Sequence, residues 1–350
     1  MNVPNTPFDH PDFNNHERIL FFRDHNTGIK GIIAIHNTAR GPALGGCRMW
    51  PYATDNEALR DVLRLSRGMT YKAALANLQL GGGKTVLIGN PKTDKSSDVF
   101  KALAEAIDGL GGRYITAEDS GTCVADMQMI RQHTPHVVGL PTSPQEDDGD
   151  PAPYTAFGVY QGILAAAKHQ FQVEGVASLT VAVQGLGSVG YKLCALLAEN
   201  GANLIVTDID SELTKKVANE FSARVVEPED IFSVTADIFS PCALGGILND
   251  KTIPQLKVST VAGAANNQLS TPQHAMLLAE KGILYAPDYA INVGGLIRVT
   301  YESNDFIRTD VLKHIEGIYG TLLQIFQYSQ QEKLLPHQAA DAIAESRFMV

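Results

Sequence analysis

Short aliphatic and β-branched runs alternate along this chain with longer stretches whose apolar positions recur every three or four residues. That alternation predicts parallel sheets covered by helices, an α/β fold. Strands are expected at Lys30 to Ile35, Thr85 to Ile88, Arg113 to Thr116 and Val137 to Leu140. Helices are expected between them, at Asp55 to Leu65 and Asp98 to Leu110. The first opens with Thr54, Asp55, Asn56 and Glu57, a capping-box spacing, and the second gathers Val99, Phe100, Leu103, Ile107 and Leu110 on one face.

The periodic signal breaks at Pro141 to Pro153, where proline, glycine and acidic residues replace it. The boundary between two domains is expected there, with residues 1–145 before it and 146–329 after it. Beyond the break the pattern reads helix (Tyr154 to Phe171), strand (Ser178 to Gln184), helix (Val189 to Glu199) and strand (Asn203 to Thr207). Helical periodicity returns over Thr309 to Ser329 and His337 to Arg347, and the segment 330–350 is expected to join the first domain.

Composition narrows the classes of partner. The 350 residues carry 28 Lys and Arg against 38 Asp and Glu, a formal net charge of −10. Without a long basic block, that balance argues against nucleic acid and anionic membranes and leaves small molecules as the expected ligands. No stretch of 18 apolar residues and no signal-peptide pattern is present, so a cytoplasmic protein is expected. Cys47, Cys123, Cys194 and Cys242 are scattered, which fits free thiols in a reducing compartment and no metal site.

The first candidate site is Gly185, Leu186, Gly187, Ser188, Val189 and Gly190. The spacing GxGxxG means little alone, but here it follows an apolar strand, opens an amphipathic helix and precedes a second strand ending at Asp208. Gly185 would allow a tight turn, Gly187 a close backbone approach to a pyrophosphate and Gly190 close packing of helix on strand. The helix N-terminus offers N–H groups to phosphate. Asp208 would accept from the adenosine ribose and repel a 2′-phosphate, which predicts NAD as cofactor. The competing readings are a glycine turn without ligand and an aspartate that caps the next helix.

The second candidate site joins Gly68, Met69, Thr70, Tyr71 and Lys72 to Gly81, Gly82, Gly83 and Lys84. Consecutive glycines are entropically costly and mark places of unusual dihedrals or close approach. If both ammonium groups face one cleft, repulsion and burial would leave one lysine able to act as a base while the other holds a carboxylate. Glu118 and Asp119, at the end of a predicted strand, are the candidate carboxylates, with helix capping as their alternative role.

The motifs GPALGGCRMW, GMTYKAALANLQLGGGKTVLIG, GRYITAEDSGT, PAPYTAFGVY, VAVQGLGSVG, PCALGGILND, AGAANNQL and APDYAINVGG occur in that order. From about Ile29 to about Tyr319 the chain thereby resembles the glutamate, leucine, phenylalanine and valine dehydrogenase superfamily, most closely its leucine-acting branch. The resemblance implies a substrate-binding and oligomerisation domain followed, across a cleft, by a Rossmann NAD-binding domain. It implies NAD-linked oxidative deamination of an L-amino acid by a homo-oligomer, an octamer. It assigns Lys72 to the substrate carboxylate and Lys84 and Asp119 to proton transfer, without a metal. Leu44, Gly45, Gly46, Met69, Ala117, Leu296 and Val299 fall where the family binds substrate. Thr155, Ala243, Asn266 and Asn267 fall near the cofactor, with capping and loop hydrogen bonding as their ordinary alternatives.

The apolar set Leu44, Ala117, Leu296 and Val299 suits a branched aliphatic side chain and offers nothing to the carboxylate of glutamate. Ala117 narrows the pocket where phenylalanine-acting relatives tend to carry glycine. Leu296, by contrast, stands where leucine-acting relatives usually have valine, so phenylalanine or tryptophan is the alternative substrate, and an inactive NAD-binding relative is the alternative class. Arg298, Val293 and the stretch Thr300 to Thr309 depart from the family pattern.

Overall fold

The computed structural model describes residues 6–141, 150–301 and 307–349, which form two compact units. The expected boundary at 145–146 and part of the divergent stretch Thr300 to Thr309 lie outside the described residues. The first unit comprises 6–141 and 344–349, and the second 150–301 and 307–343. The segment 330–350 is therefore shared between the units rather than joining the first as a whole.

In the first unit β1 (Arg18–Arg23), β2 (Lys30–Asn37), β3 (Ala43–Trp50), β4 (Gly81–Ile88) and β5 (Tyr114–Glu118) form a mixed sheet in the order β1-β2-β4-β3-β5. The pairs β1/β2 and β2/β4 are antiparallel, whereas β3 runs parallel to both β4 and β5. Helix α1 (Asp55–Leu75) covers one face: its Ala58, Leu59, Val62 and Leu63 pack on Ile32, Ala34 and Val86. Helices α2 (Ser97–Asp108) and α3 (Val124–Arg131) cover the other, where Val99, Phe100, Leu103, Ile107 and Leu110 form one cluster with Ile33, Cys47, Met49 and Leu87. Thr54 Oγ1 accepts the Glu57 N–H at 3.1 Å, a cap that stabilises α1 by about 1 kcal/mol.

Three sequence expectations change here. Helix α1 runs ten residues beyond Leu65, because Thr70, Tyr71, Ala73, Ala74 and Leu75 continue its buried stripe and override Gly68. The strand expected from Thr85 begins four residues earlier, at Gly81, since β4 has neighbours on both sides that take up its backbone groups. Val137 to Leu140 forms only a bridge between Val137 and Thr116. Strands β1 and β3 carried no clean period-2 signal, Arg and Phe at the sheet edge blurring one and paired glycines the other.

The second unit opens with α4 (Ala152–Phe171), followed by β6 (Thr180–Gln184), α5 (Ser188–Glu199), β7 (Asn203–Thr207), α6 (Ser211–Phe221) and β8 (Arg224–Val225). Next come β9 (Ile238–Pro241), β10 (Thr260–Val261), α7 (His274–Glu280), β11 (Leu284–Tyr285), α8 (Asp288–Ile291), α9 (Gly294–Val299), α10 (Arg308–Glu332) and α11 (Pro336–Phe348). Its six strands are all parallel in the order β11-β10-β9-β6-β7-β8. The order reverses between β6 and β9, the switch point of a doubly wound Rossmann sheet, and ligands of such sheets bind at the carboxyl ends there. The last turn of α11 returns to the first unit, where Arg347 donates to the Ala74 and Leu75 carbonyls that end α1 and Tyr71 donates to Glu345 at 2.6 Å.

Candidate active site

Alternation along β4 sends Gly82, Lys84 and Val86 to the face that α1 covers. A Cβ at Gly82 would lie 2.0 Å from the Thr70 nitrogen, so the turn of α1 that carries Met69 and Lys72 presses directly on the strand that carries Lys84. The glycines here make room for the protein's own atoms: a methyl at Gly83 would meet the Tyr114 ring, and one at Gly45 the Gly83 carbonyl. At Gly46 a Cβ would lie 2.8 Å from Asp119 Cβ, so the absence of a side chain lets Asp119 approach β3.

Lys84 is buried, and its Nζ lies 3.0 Å from Asp119 Oδ2. The structure thus selects between the two candidate carboxylates: Asp119 joins Lys84, while Glu118 ends β5 exposed. Arg48, on β3, reaches the same Oδ2 through Nε at 2.9 Å. Burial works against the charge of Asp119, but Lys84 and Arg48 together hold its carboxyl below the ordinary value. Asp61 on α1 accepts from Arg48 Nη1 at 3.0 Å and from the Tyr52 hydroxyl at 2.5 Å. No sequence signal pointed to Arg48, Asp61 or Tyr52, because Arg48 meets Asp119 across 71 positions.

Lys72 stands in the last turn of α1, half-buried. Eleven residues separate it from Asp61, and at 100° per residue the two positions fall within about 20° of each other around the helix. Met69 shares that flank, also half-buried. Leu44 is buried and Ala117 half-buried, both on the sheet face of Lys84 by register. The first unit therefore places Lys84, Asp119, Leu44 and Ala117 about one sheet face, with Met69 and Lys72 on the helix that covers it.

In the second unit the glycine turn is tight at Gly185, close-packed at Gly190 and open at Gly187. Gly185 has φ +92°, a left-handed conformation that favours glycine, and a Cβ there would strike Ala243. Gly190 passes so close to the Gly185 carbonyl that a methyl would lie 1.9 Å from its oxygen. Gly187, the N-cap of α5, has no capping side chain, and a methyl added there would meet nothing within 4 Å. Ser188, Val189 and Gly190 open the helix above it, and N–H groups at such a start are the kind that bind phosphate. Asp208 accepts the Leu186 N–H at 2.5 Å and the Asp210 N–H at 2.9 Å, while Asp210 caps α6. The carboxylate thus braces the glycine turn.

The loops after β6, β9 and β10 meet at the same edge: Ala243 lies against Gly185, and a Cβ at Gly245 would meet the Asn266 carbonyl. Asn266 Oδ1 accepts from Asn292 at 2.7 Å, and Asn267 is left-handed at φ +52° with its N–H on Asp288. Thr155 Oγ1 donates to the Pro151 carbonyl at 3.0 Å and packs on Gly295 of α9. Leu296 and Val299 are half-exposed on α9, and Arg298 between them is fully buried.

A Rossmann sheet with this turn is the architecture of a dinucleotide-binding enzyme, and the chain also pairs Lys84 with Asp119. Residues 16–136 match the family model described as "Glu/Leu/Phe/Val dehydrogenase, dimerisation domain", and residues 206–340 match "Glutamate/Leucine/Phenylalanine/Valine dehydrogenase". The chain belongs to this family of amino-acid dehydrogenases. It is 51% identical to leucine dehydrogenase of Geobacillus stearothermophilus over 97% of this chain and 92% of that protein. L-tryptophan dehydrogenase of Nostoc punctiforme is 48% identical over 95% and 93%. A crystal structure of L-tryptophan dehydrogenase from Nostoc punctiforme superimposes with a TM-score of 0.87 at 46% identity, covering 95% of this chain and 96% of that one.

Proposed function

We propose that the chain catalyses NAD-linked oxidative deamination of branched-chain L-amino acids, leucine with isoleucine and valine, to the 2-oxo acid and ammonia, reversibly. The observation that carries this reading is the Lys84–Asp119 pair, at 3.0 Å, on the sheet face shared with apolar Leu44 and Ala117. Lys72 holds the substrate carboxylate as a fixed cation, and Leu44, Met69, Ala117, Leu296 and Val299 take the aliphatic side chain. Lys84 passes its own proton to Asp119 and takes one from the substrate amine. After oxidation at Cα, Lys84 orients water towards that carbon, and Lys84 and Asp119 exchange the protons that release ammonia and leave the ketone.

The nicotinamide, when bound, supplies the hydride acceptor. Gly185 to Gly190 would hold its pyrophosphate, Asp208 its adenosine ribose, and Thr155, Ala243, Asn266 and Asn267 its nicotinamide half. The charge of Asp208 disfavours a 2′-phosphate, which supports NAD over NADP. A homo-oligomer, octameric by resemblance, in a reducing cytoplasm completes the proposal. The four cysteines are free thiols, in keeping with that compartment.

The test mixes the protein with NAD and single L-amino acids at mildly alkaline pH and follows reduced nicotinamide by absorbance. The expected order of kcat/KM places leucine, isoleucine and valine above phenylalanine and tryptophan. A reversed order would replace the aliphatic assignment with an aromatic one, in line with Leu296. No turnover with any of them, alongside measurable NADH binding, would mean an inactive relative.

A further inference from the structure

We propose that Arg48 is a positioning residue that fixes the orientation and working pH range of Asp119, and that Asp61 holds Arg48 in place for that purpose. The inference rests on the assignment of Lys84 and Asp119 to proton transfer and extends it to Arg48 and Asp61, outside that pair. Its basis is geometric. Arg48 Nε and Lys84 Nζ converge on one oxygen, Asp119 Oδ2, at 2.9 and 3.0 Å. Two cations on a single oxygen fix the rotation of the carboxylate, which one flexible lysine does not.

The backbone of Asp119 is held too. Its N–H donates to Thr122 Oγ1 at 3.0 Å, and that hydroxyl donates to the Cys47 carbonyl at 2.8 Å. The other side of the guanidinium is engaged by Asp61 at 3.0 Å, and Tyr52 donates to the same Asp61 oxygen. Arg48 and Asp119 are each about a quarter exposed at the side chain, so water screens these contacts only in part. Since Asp61 and Lys72 lie on one flank of α1, Arg48 ties the helix of the carboxylate anchor to the proton-transfer pair.

The charged and titratable groups around Asp119 are Lys84 on β4, Arg48 and Cys47 on β3, Tyr114 and Glu118 on β5, Asp61 on α1, and Tyr52 before α1. Burial pushes the Cys47 thiol and the Tyr114 and Tyr52 hydroxyls up, so these stay neutral in the working range. Lys84 and Arg48 are the two cations that favour the carboxylate. Removing Arg48 therefore raises the pH at which Asp119 takes a proton.

The test titrates the Asp119 carboxyl by carbon NMR from pH 2.5 to 7 in the parent, Arg48→Gln, Arg48→Lys and Asp61→Asn, and records kcat and KM with L-leucine and NAD for these and for Asp119→Asn, with folding checked by circular dichroism over the same pH range. For Arg48→Gln the Asp119 midpoint is expected to move up by about one pH unit, with kcat about tenfold lower and KM little changed. Arg48→Lys restores the midpoint, because the charge returns, but not kcat, because one ammonium does not span both carboxylates. Asp61→Asn lowers kcat severalfold, and it carries the test should Arg48→Gln not fold.

A purely structural role would lower stability and leave the Asp119 midpoint in place. A parent-like titration profile in Arg48→Gln, or parent-like kcat in Asp61→Asn, overturns the proposal while an inactive Asp119→Asn keeps the Lys84–Asp119 assignment. A fully active Asp119→Asn overturns both.

Discussion

The two sheets use glycine for opposite purposes. In the first unit Gly82 and Gly83 admit the chain's own atoms: the Thr70 backbone on one face and the Tyr114 ring on the other. In the second unit Gly187 faces open space at the uncapped start of α5. The same residue type packs protein against protein at Gly82 and Gly83 and leaves open space at Gly187. Charge follows the same division. The first unit carries its own cations and anion in contact, whereas the second presents backbone N–H groups and one carboxylate that braces the turn.

Single methyls should separate the two uses. Gly82→Ala drives a Cβ into the backbone of α1 and is expected to destabilise the protein by about 3 kcal/mol or more, read from denaturant unfolding. A folded, fully active Gly82→Ala would break the comparison. Gly187→Ala should change stability by less than about 0.5 kcal/mol yet weaken NADH binding about tenfold, measured by nicotinamide fluorescence. Unchanged affinity there would remove the ligand reading of the open glycine.

The tight contact under α1 also predicts a pH dependence in the first unit. His16 and His36 meet edge to face with ring centroids 4.9 Å apart, and His36 Nδ1 lies 2.8 Å from Thr70 Oγ1. Burial first, then the facing His16 and Arg67, lowers His36 to about 3. With the folded value below the unfolded one, the unfolded chain binds more protons, so stability falls as pH drops below about 6.5 and continues to fall towards 3. The slope should approach 1.4 kcal/mol per pH unit for this one histidine, roughly, and His36→Gln should flatten it. Equal slopes for both proteins would show that His36 takes up its proton in the fold at no cost.

The smallest expected effect concerns cofactor choice. Asp208→Asn removes the charge that opposes a 2′-phosphate while leaving an acceptor for the Leu186 N–H. The NAD to NADP ratio of kcat/KM should fall about fivefold, roughly 1 kcal/mol. An unchanged ratio would leave Asp208 as a brace of the glycine turn alone.

Local patterns were legible where the physics is local. The capping residue Thr54, the apolar face of α2, and the strand, turn and helix around Gly185 to Gly190 all follow from neighbours within a few positions. The Gly81–Gly83 run was legible as a constraint but not in its kind, because the atoms that demand glycine belong to Asn37, Thr70 and Tyr114. The continuation of α1 through Gly68 was hidden for a similar reason: its buried stripe is set by the sheet beneath it.

By itself the sequence determined the fold class, the dinucleotide turn and the residue types available for chemistry, since periodicity and glycine spacing act over one or two turns of chain. The family resemblance named Asp119, but only the tertiary structure brought it rather than Glu118 onto Lys84 and completed the charge network with Arg48 and Asp61. Those choices depend on strand register and on which face each side chain takes. A shift of one residue along β5 would exchange the two carboxylates, and no property of either residue records which register the sheet adopts.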